Sequence, residues 1–218
     1  MAHAGRLTHD VTHDVRHDVT LDGDGMNAPA HREFGMGVYN EKVGMWVFLG
    51  SEVMFFTALI GTYIILRFAH PEAWAPPGQT LNVPITAVNT FLLICSSVTM
   101  VKAFAAAQDG DQRQLRIWLV ATTLIGATFV GIQAYEYEHL IAKGFVPSEG
   151  LYGSTFYTMT GFHGFHVSMG VLCLLFVTWK AFRGGYTASD HRGVEVIGLY
   201  WHFVDLVWII LFTIVYLI

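Results

Sequence analysis

Apolar residues run along this chain in five long stretches separated by short polar connections, while the first forty positions are polar. The stretches lie near Val43–Leu66, Val83–Ala107, Leu115–Tyr135, Thr155–Trp179 and Val196–Ile218. Each is long enough to cross ~30 Å of hydrocarbon as a helix rising 1.5 Å per residue. Pro84 falls in the first turn of the second stretch, where its missing N–H costs nothing. The connections of 16, 7, 19 and 16 residues are too short to fold into extramembrane domains. The pattern therefore predicts an all-α integral membrane protein, a bundle of five transmembrane helices over residues 41–218, preceded by a polar tail over residues 1–40.

The tail contains a short repeat, Thr8-His9-Asp10-Val11, Thr12-His13-Asp14-Val15, Arg16-His17-Asp18-Val19. It has neither an apolar core nor a small-residue cleavage site, so it does not read as a secretory signal. A four-residue period sets His9, His13 and His17 along one side of a helix, a spacing able to hold a metal. The competing reading is a solvated tail, since nothing apolar is present to order it.

Composition agrees with a membrane protein. The 218 residues are 53% apolar and only 13% charged, about half the charge of a soluble domain. Mean hydropathy is +0.45. Seven of the 17 acidic residues lie in the first 41 positions. A net charge of −5 excludes a nucleic-acid binder that works by neutralising phosphates. Cys95 and Cys173 both sit in apolar runs and supply no disulfide framework, zinc cluster or haem-attachment motif.

Lysine and arginine set the orientation. With the N-terminus inside, the inner ends collect Arg6, Arg16, Arg32, Lys42, Lys102, Arg113, Arg116, Lys180, Arg183 and Arg192, whereas the outer ends collect Arg67 and Lys143. Ten against two predicts N-terminus cytoplasmic and C-terminus outside. Aromatic residues agree as interfacial anchors: Tyr63, Trp74, Tyr137, Tyr152 and Tyr216 outside, Trp118, Trp179 and Trp201 inside. Glu136, Glu138 and Arg183 are read as interfacial, and Lys102 as a snorkelling side chain near its helix end.

Ionisable groups deep in the bilayer are costly and point to a site. Glu52, His163, His166, His202 and Asp205 qualify. Glu52 and Asp205 lie ~13–14 Å from the inner face, His202 ~9 Å and His166 ~20 Å, so three helices bring polar groups to one layer. His163 and His166 share a helix face, as do His202 and Asp205. A proton relay, a metal site, a haem site and a lipid or packing network all fit this inventory. The last has a simple form, with Asp205 fixing the tautomer of His202. A metal is disfavoured because the His163/His166 pair has no nearby carboxylate on its own helix and no cysteine; for haem, nothing beyond the histidines speaks. Ser51, Thr57, Asn89, Ser96, Ser97 and Thr99 suit interhelical hydrogen bonds, and Ala127/Gly131 with Gly164/Ser168 suit close helix contact.

At these residues the sequence resembles subunit III of the haem–copper respiratory oxidases, in the five-helix form of the cytochrome c oxidase subunit III family. The resemblance is carried by Gly44-Met45-Trp46-Val47-Phe48-Leu49-Gly50-Ser51-Glu52-Val53-Met54-Phe55-Phe56 and by Gln133-Ala134-Tyr135-Glu136-Tyr137. It continues through Tyr152-Gly153-Ser154-Thr155-Phe156 into Thr160-Gly161-Phe162-His163-Gly164-Phe165-His166-Val167, and ends on Tyr200-Trp201-His202-Phe203-Val204-Asp205-Leu206-Val207-Trp208. It spans about Glu41 to the C-terminus and leaves the tail outside.

The resemblance implies an accessory subunit with no redox centre of its own, haem and copper residing in partner subunits. Such a subunit packs against catalytic subunit I, holds phospholipids between its helices, sustains activity over repeated turnover and supports proton uptake. Glu52 matches the family's intramembrane glutamate near the lipid cleft; His163, His166 and His202 match histidines that line or support that region. The family's longer form has two further helices ahead of the first one here, so a full lipid cleft in this five-helix form needs a neighbouring subunit to close it. Gly-Ser-Glu leans toward the cytochrome c oxidase branch. The alternatives are a quinol oxidase subunit III and an accessory membrane protein of nitric oxide reduction. A stand-alone transporter would need a broken helix or an internal repeat, and neither is present in the sequence.

Overall fold

The computed structural model describes residues 33–34, 38–74 and 81–217. A two-residue strand β1 (Glu33–Phe34) pairs antiparallel with β2 (Val38–Tyr39), Glu33 opposite Tyr39. Then come the helices α1 (Asn40–Ala69), α2 (Val83–Gln108), α3 (Gln112–Ala142), α4 (Leu151–Phe182) and α5 (Arg192–Phe212), the last running on as a π-helical turn over Thr213–Leu217. All five are long and apolar enough to cross a membrane. The repeat containing His9, His13 and His17 lies outside the described residues.

The helices reach beyond the apolar stretches that predict them. α3 runs on to Ala142, α4 starts at Leu151 and α5 at Arg192. Hydropathy marks where side chains meet hydrocarbon, whereas backbone hydrogen bonding continues through the headgroup zone, where charged side chains are welcome. The connections shorten accordingly. Between α2 and α3 only Asp109–Asp111 remain, turning on Gly110 at φ +74°. Asp111 then starts α3, its carboxylate accepting from the amides of Arg113 and Gln114 at 3.0 Å each, which satisfies two donors that a helix start leaves open. Asn82 caps α2 in the same way through the amide of Ile85.

α2, α3, α4 and α5 form the body of the bundle, and α1 lies on α4 and α5. The centre is an aromatic wedge. Trp201 of α5 is 1% exposed and fills the space beside two glycines. A Cβ on Gly126 of α3 would stand 2.6 Å from the Trp201 ring, and one on Gly170 of α4 would stand 2.9 Å from it. Its indole N–H donates to Ser96 Oγ of α2 at 2.9 Å, so one side chain ties all four helices. This corrects two expectations. Trp201 is a core residue and not an interfacial anchor, because the two glycines make room for it inside. And Gly131 and Gly164, expected at close helix contacts, have open space where a Cβ would go.

Other small polar residues do link helices. Thr99 meets Thr122 at 2.8 Å, Asn89 donates to the Phe129 carbonyl at 3.3 Å, and the Trp208 indole donates to Thr90 at 2.9 Å. Ser51 instead bonds its own helix, to the Phe48 carbonyl. At the end where α1 and α5 begin, Tyr39 and Lys42 both grip Glu195, the phenol at 2.6 Å. Burial, and then the Glu195 carboxylate, raise the Tyr39 phenol above its ordinary pKa. Lys102 rests its ammonium 4.4 Å over the Trp118 ring, and Arg183 its guanidinium 4.1 Å over Trp179. Both place a charge at the belt where an aromatic ring meets the polar layer.

Candidate functional site in the membrane

Glu52 stands about 18 Å along α1 from its start. Its Oε2 meets His166 Nε2 of α4 at 3.1 Å, with both side chains largely covered. His166 Nδ1 in turn lies 2.7 Å from the Phe162 carbonyl, one helical turn back. A carbonyl oxygen only accepts, so Nδ1 carries a hydrogen. Nε2 then either accepts from a protonated Glu52 or, as imidazolium, donates to a carboxylate. In both arrangements the pair holds one shared proton beyond the Nδ1 hydrogen, and its net charge is zero. That is the low-cost state for two ionisable groups at this depth. Phe56 packs its ring edge-on to His166 at 5.2 Å, and Tyr200 of α5 donates its hydroxyl to the His166 carbonyl at 2.9 Å.

His163 diverges from its neighbour on the same helix. Its ring is 1% exposed and stacks 4.9 Å from Trp208, with Phe129 and Phe56 at its edges. Neither ring nitrogen has a hydrogen-bond partner among the described residues. His202 joins a third group: its Nδ1 lies 2.6 Å from Ser97 Oγ of α2. Asp205 is buried one turn on and also faces Ser97. Ser97 of α2 thus serves both members of the His202–Asp205 pair on α5. The polar layer thus divides in three: Glu52–His166 between α1 and α4, His163 stacked among aromatic rings, and Ser97 with His202 and Asp205 between α2 and α5.

A further carboxylate stands apart from these. Glu136 is six residues from the end of α3, near the polar zone, but its side chain is 4% exposed and points into the bundle. Thr86 Oγ1 lies 3.0 Å from Glu136 Oε1 and 3.0 Å from the Asn82 carbonyl. The Thr86 hydroxyl donates to Glu136 and shares its one proton with the Asn82 carbonyl. Gln133 and Tyr216 complete the surroundings. The sequence carries a signal for this cluster: Phe129, Gln133, Glu136 and Leu140 recur at helical spacing along one face, and all are buried. Glu138 and Arg183 are exposed near their helix ends. Among the described residues no three His, Cys, Asp or Glu side chains converge as a metal would require.

Fold and site together define a multi-pass helical membrane protein in which Glu52 and His202 each meet a polar partner on another helix. Residues 11–218 match the family model for cytochrome c oxidase subunit III. The chain belongs to that family. It is 41% identical over 176 residues to cytochrome c oxidase subunit 3 of Thermostichus vulcanus, covering 80% of this chain and 86% of the relative. Cytochrome c oxidase subunit 3 of Synechocystis is 43% identical over 176 residues, covering 80% and 74%. Cytochrome bo(3) ubiquinol oxidase subunit 3 of Pseudomonas aeruginosa is 38% identical over 179 residues, covering 82% and 85%.

Proposed function

We propose that the chain is the non-catalytic subunit III of a haem–copper terminal oxidase, docked on the subunit that holds haem and copper and oriented with its N-terminus in the cytoplasm. The family match supports membership in an oxidase complex. The positive residues clustered at the α1-start end support the orientation.

The observation that carries the role of the site is the Glu52–His166 contact at 3.1 Å. α1 buries few of its own side chains, and much of its surface, including Trp46, Met54, Ile65 and Phe68, faces outward. A neutral pair with one shared proton holds such a helix to α4 without a buried net charge. It also sits where phospholipid or a neighbouring subunit meets α1. The site's role is therefore support: it keeps the α1 junction closed, holds lipid beside it and sustains proton delivery to the catalytic subunit over many turnovers. Cytochrome c is the proposed donor, in line with the names of the Thermostichus and Synechocystis relatives. Quinol is the second reading, favoured by the Pseudomonas relative at nearly the same identity.

The test is to purify the tagged full-length chain from its native membrane in mild detergent. A stoichiometric haem-bearing partner and oxygen consumption are expected. A chain that purifies alone and active in transport would overturn the reading.

A further inference from the structure

At the end of the bundle where α3 begins and α4 finishes, a groove of about 570 Å³ opens at the surface, lined by Gln112, Arg113, Arg116, Ile117, Val120 and Phe182. It lies on the α3–α4 face and shares no residue with the Glu52–His166 junction. Its two halves differ in chemistry. The floor is apolar and runs inward: from Gln112 to Val120 the helix rises about 12 Å. The rim carries two guanidinium groups and no acidic side chain.

The rim is built. Arg116 donates its Nε–H to the Ala181 carbonyl at 3.1 Å and sets its guanidinium 5.7 Å from the Phe182 ring. The fork is thereby held over the groove with its terminal N–H groups available. Arg113 is exposed, and only its backbone amide is engaged, by the Asp111 cap. Asp111 accepts both cap bonds on one carboxylate oxygen and is not among the residues that line the groove. Arg183, beside Phe182, adds positive charge at the same end.

We infer that this groove binds an anionic phospholipid, its phosphate on Arg113 and Arg116 and one acyl chain along Ile117, Val120 and Phe182. A guanidinium fork matches phosphate oxygens in pairs. An apolar floor continuous with the rim adds what a soluble anion cannot use, and basic pockets between transmembrane helices are suited to anionic headgroups. The inference rests on the chain being a membrane-embedded oxidase subunit and adds a lipid site with its own selectivity.

The experiment uses the whole oxidase complex. Wild type, Arg113→Gln, Arg113→Gln/Arg116→Gln and Val120→Trp complexes are equilibrated with vesicles of phosphatidylcholine containing a minor share of phosphatidylglycerol. They are then extracted in detergent, and retained lipid is quantified by mass spectrometry. Arg113→Gln removes an exposed charge that supports no fold contact. It should lower phosphatidylglycerol retention by about fivefold, with a further loss in the double variant. Val120→Trp fills the floor with the rim intact and should also lose the lipid. A photoreactive residue at Ile117 should crosslink to lipid. Equal retention in wild type and the double variant, or equal preference for phosphatidylcholine, would overturn the inference. So would full retention by Val120→Trp, which would leave a bare anion rim, or a crosslink to a neighbouring subunit alone. Haem co-purifies in every one of these outcomes if the accessory-subunit reading holds, so the two ideas fail separately.

Discussion

His166 accepts or shares a proton with Glu52 at 3.1 Å while its other ring nitrogen is committed to the Phe162 carbonyl at 2.7 Å. The second bond decides what substitutions at the first should do. Glu52→Gln offers an amide N–H to Nε2 of a neutral imidazole, so the junction survives the loss of the carboxyl. Glu52→Ala leaves Nε2 buried without a partner, at a cost of about 1–3 kcal/mol. Complex assembly and initial oxygen consumption should be near wild type for the glutamine variant. The alanine variant should lose activity faster during turnover and dissociate at lower detergent stress.

The Trp201 wedge gives a packing expectation. Gly170→Val places carbon atoms where the indole already stands, since even a Cβ falls 2.9 Å from the ring. Overpacking of this kind costs roughly 1–3 kcal/mol. Gly164→Ala, with open space at the same helix, should be neutral. Thermal loss of the assembled complex, followed by gel mobility, separates the two.

Much of this arrangement is legible in the sequence, and the reasons for the rest are physical. Five helices follow from hydropathy alone because a bilayer rewards long apolar runs. Glu52 and His166 stand out because charge is rare at their depth. Glu136 reads as interfacial because distance to a helix end is visible in sequence, whereas the direction of a side chain depends on which neighbours pack against α3. Trp201 misleads for the same cause: indoles favour the interface, but Gly126 and Gly170 on two other helices open a slot for this one. The division of the polar layer into three parts depends on Ser97 and Phe162, partners that only the packing reveals.

Glu136 provides a check on that buried cluster. Thr86→Val keeps the side-chain shape and removes the hydroxyl that bridges Glu136 and the Asn82 carbonyl. Loss of that donor from a buried carboxyl should cost about 1–3 kcal/mol, whereas Glu136→Gln, whose amide oxygen still accepts from Thr86, should cost less. Thermal loss of the assembled complex should come at a lower temperature for Thr86→Val than for Glu136→Gln. The reverse order would mean that the Thr86 hydroxyl does not hold Glu136.

The connection from Arg183 to His191 carries a pH dependence. Burial of Tyr186, and then the Asp190 carboxylate, push its phenol from 10.0 up to about 12. A raised pKa means the folded connection holds the proton more tightly than the open one. Its stabilising contribution is whole below pH ~10 and is lost as pH rises through the folded value. Proteolytic cleavage within residues 183–191 should therefore accelerate between these pH values. In Tyr186→Phe, which has no proton to lose, that acceleration should disappear.

The chain is proposed to support an oxidase without performing its chemistry. The most direct measurement is oxygen consumption by the purified complex with and without the chain, followed from the first turnovers to inactivation. Initial turnover should remain substantial without the chain and activity should decay markedly faster, with re-addition of the wild-type chain restoring durability. Complete loss of the first turnovers in a complex that still holds its full haem and copper would contradict that supporting role.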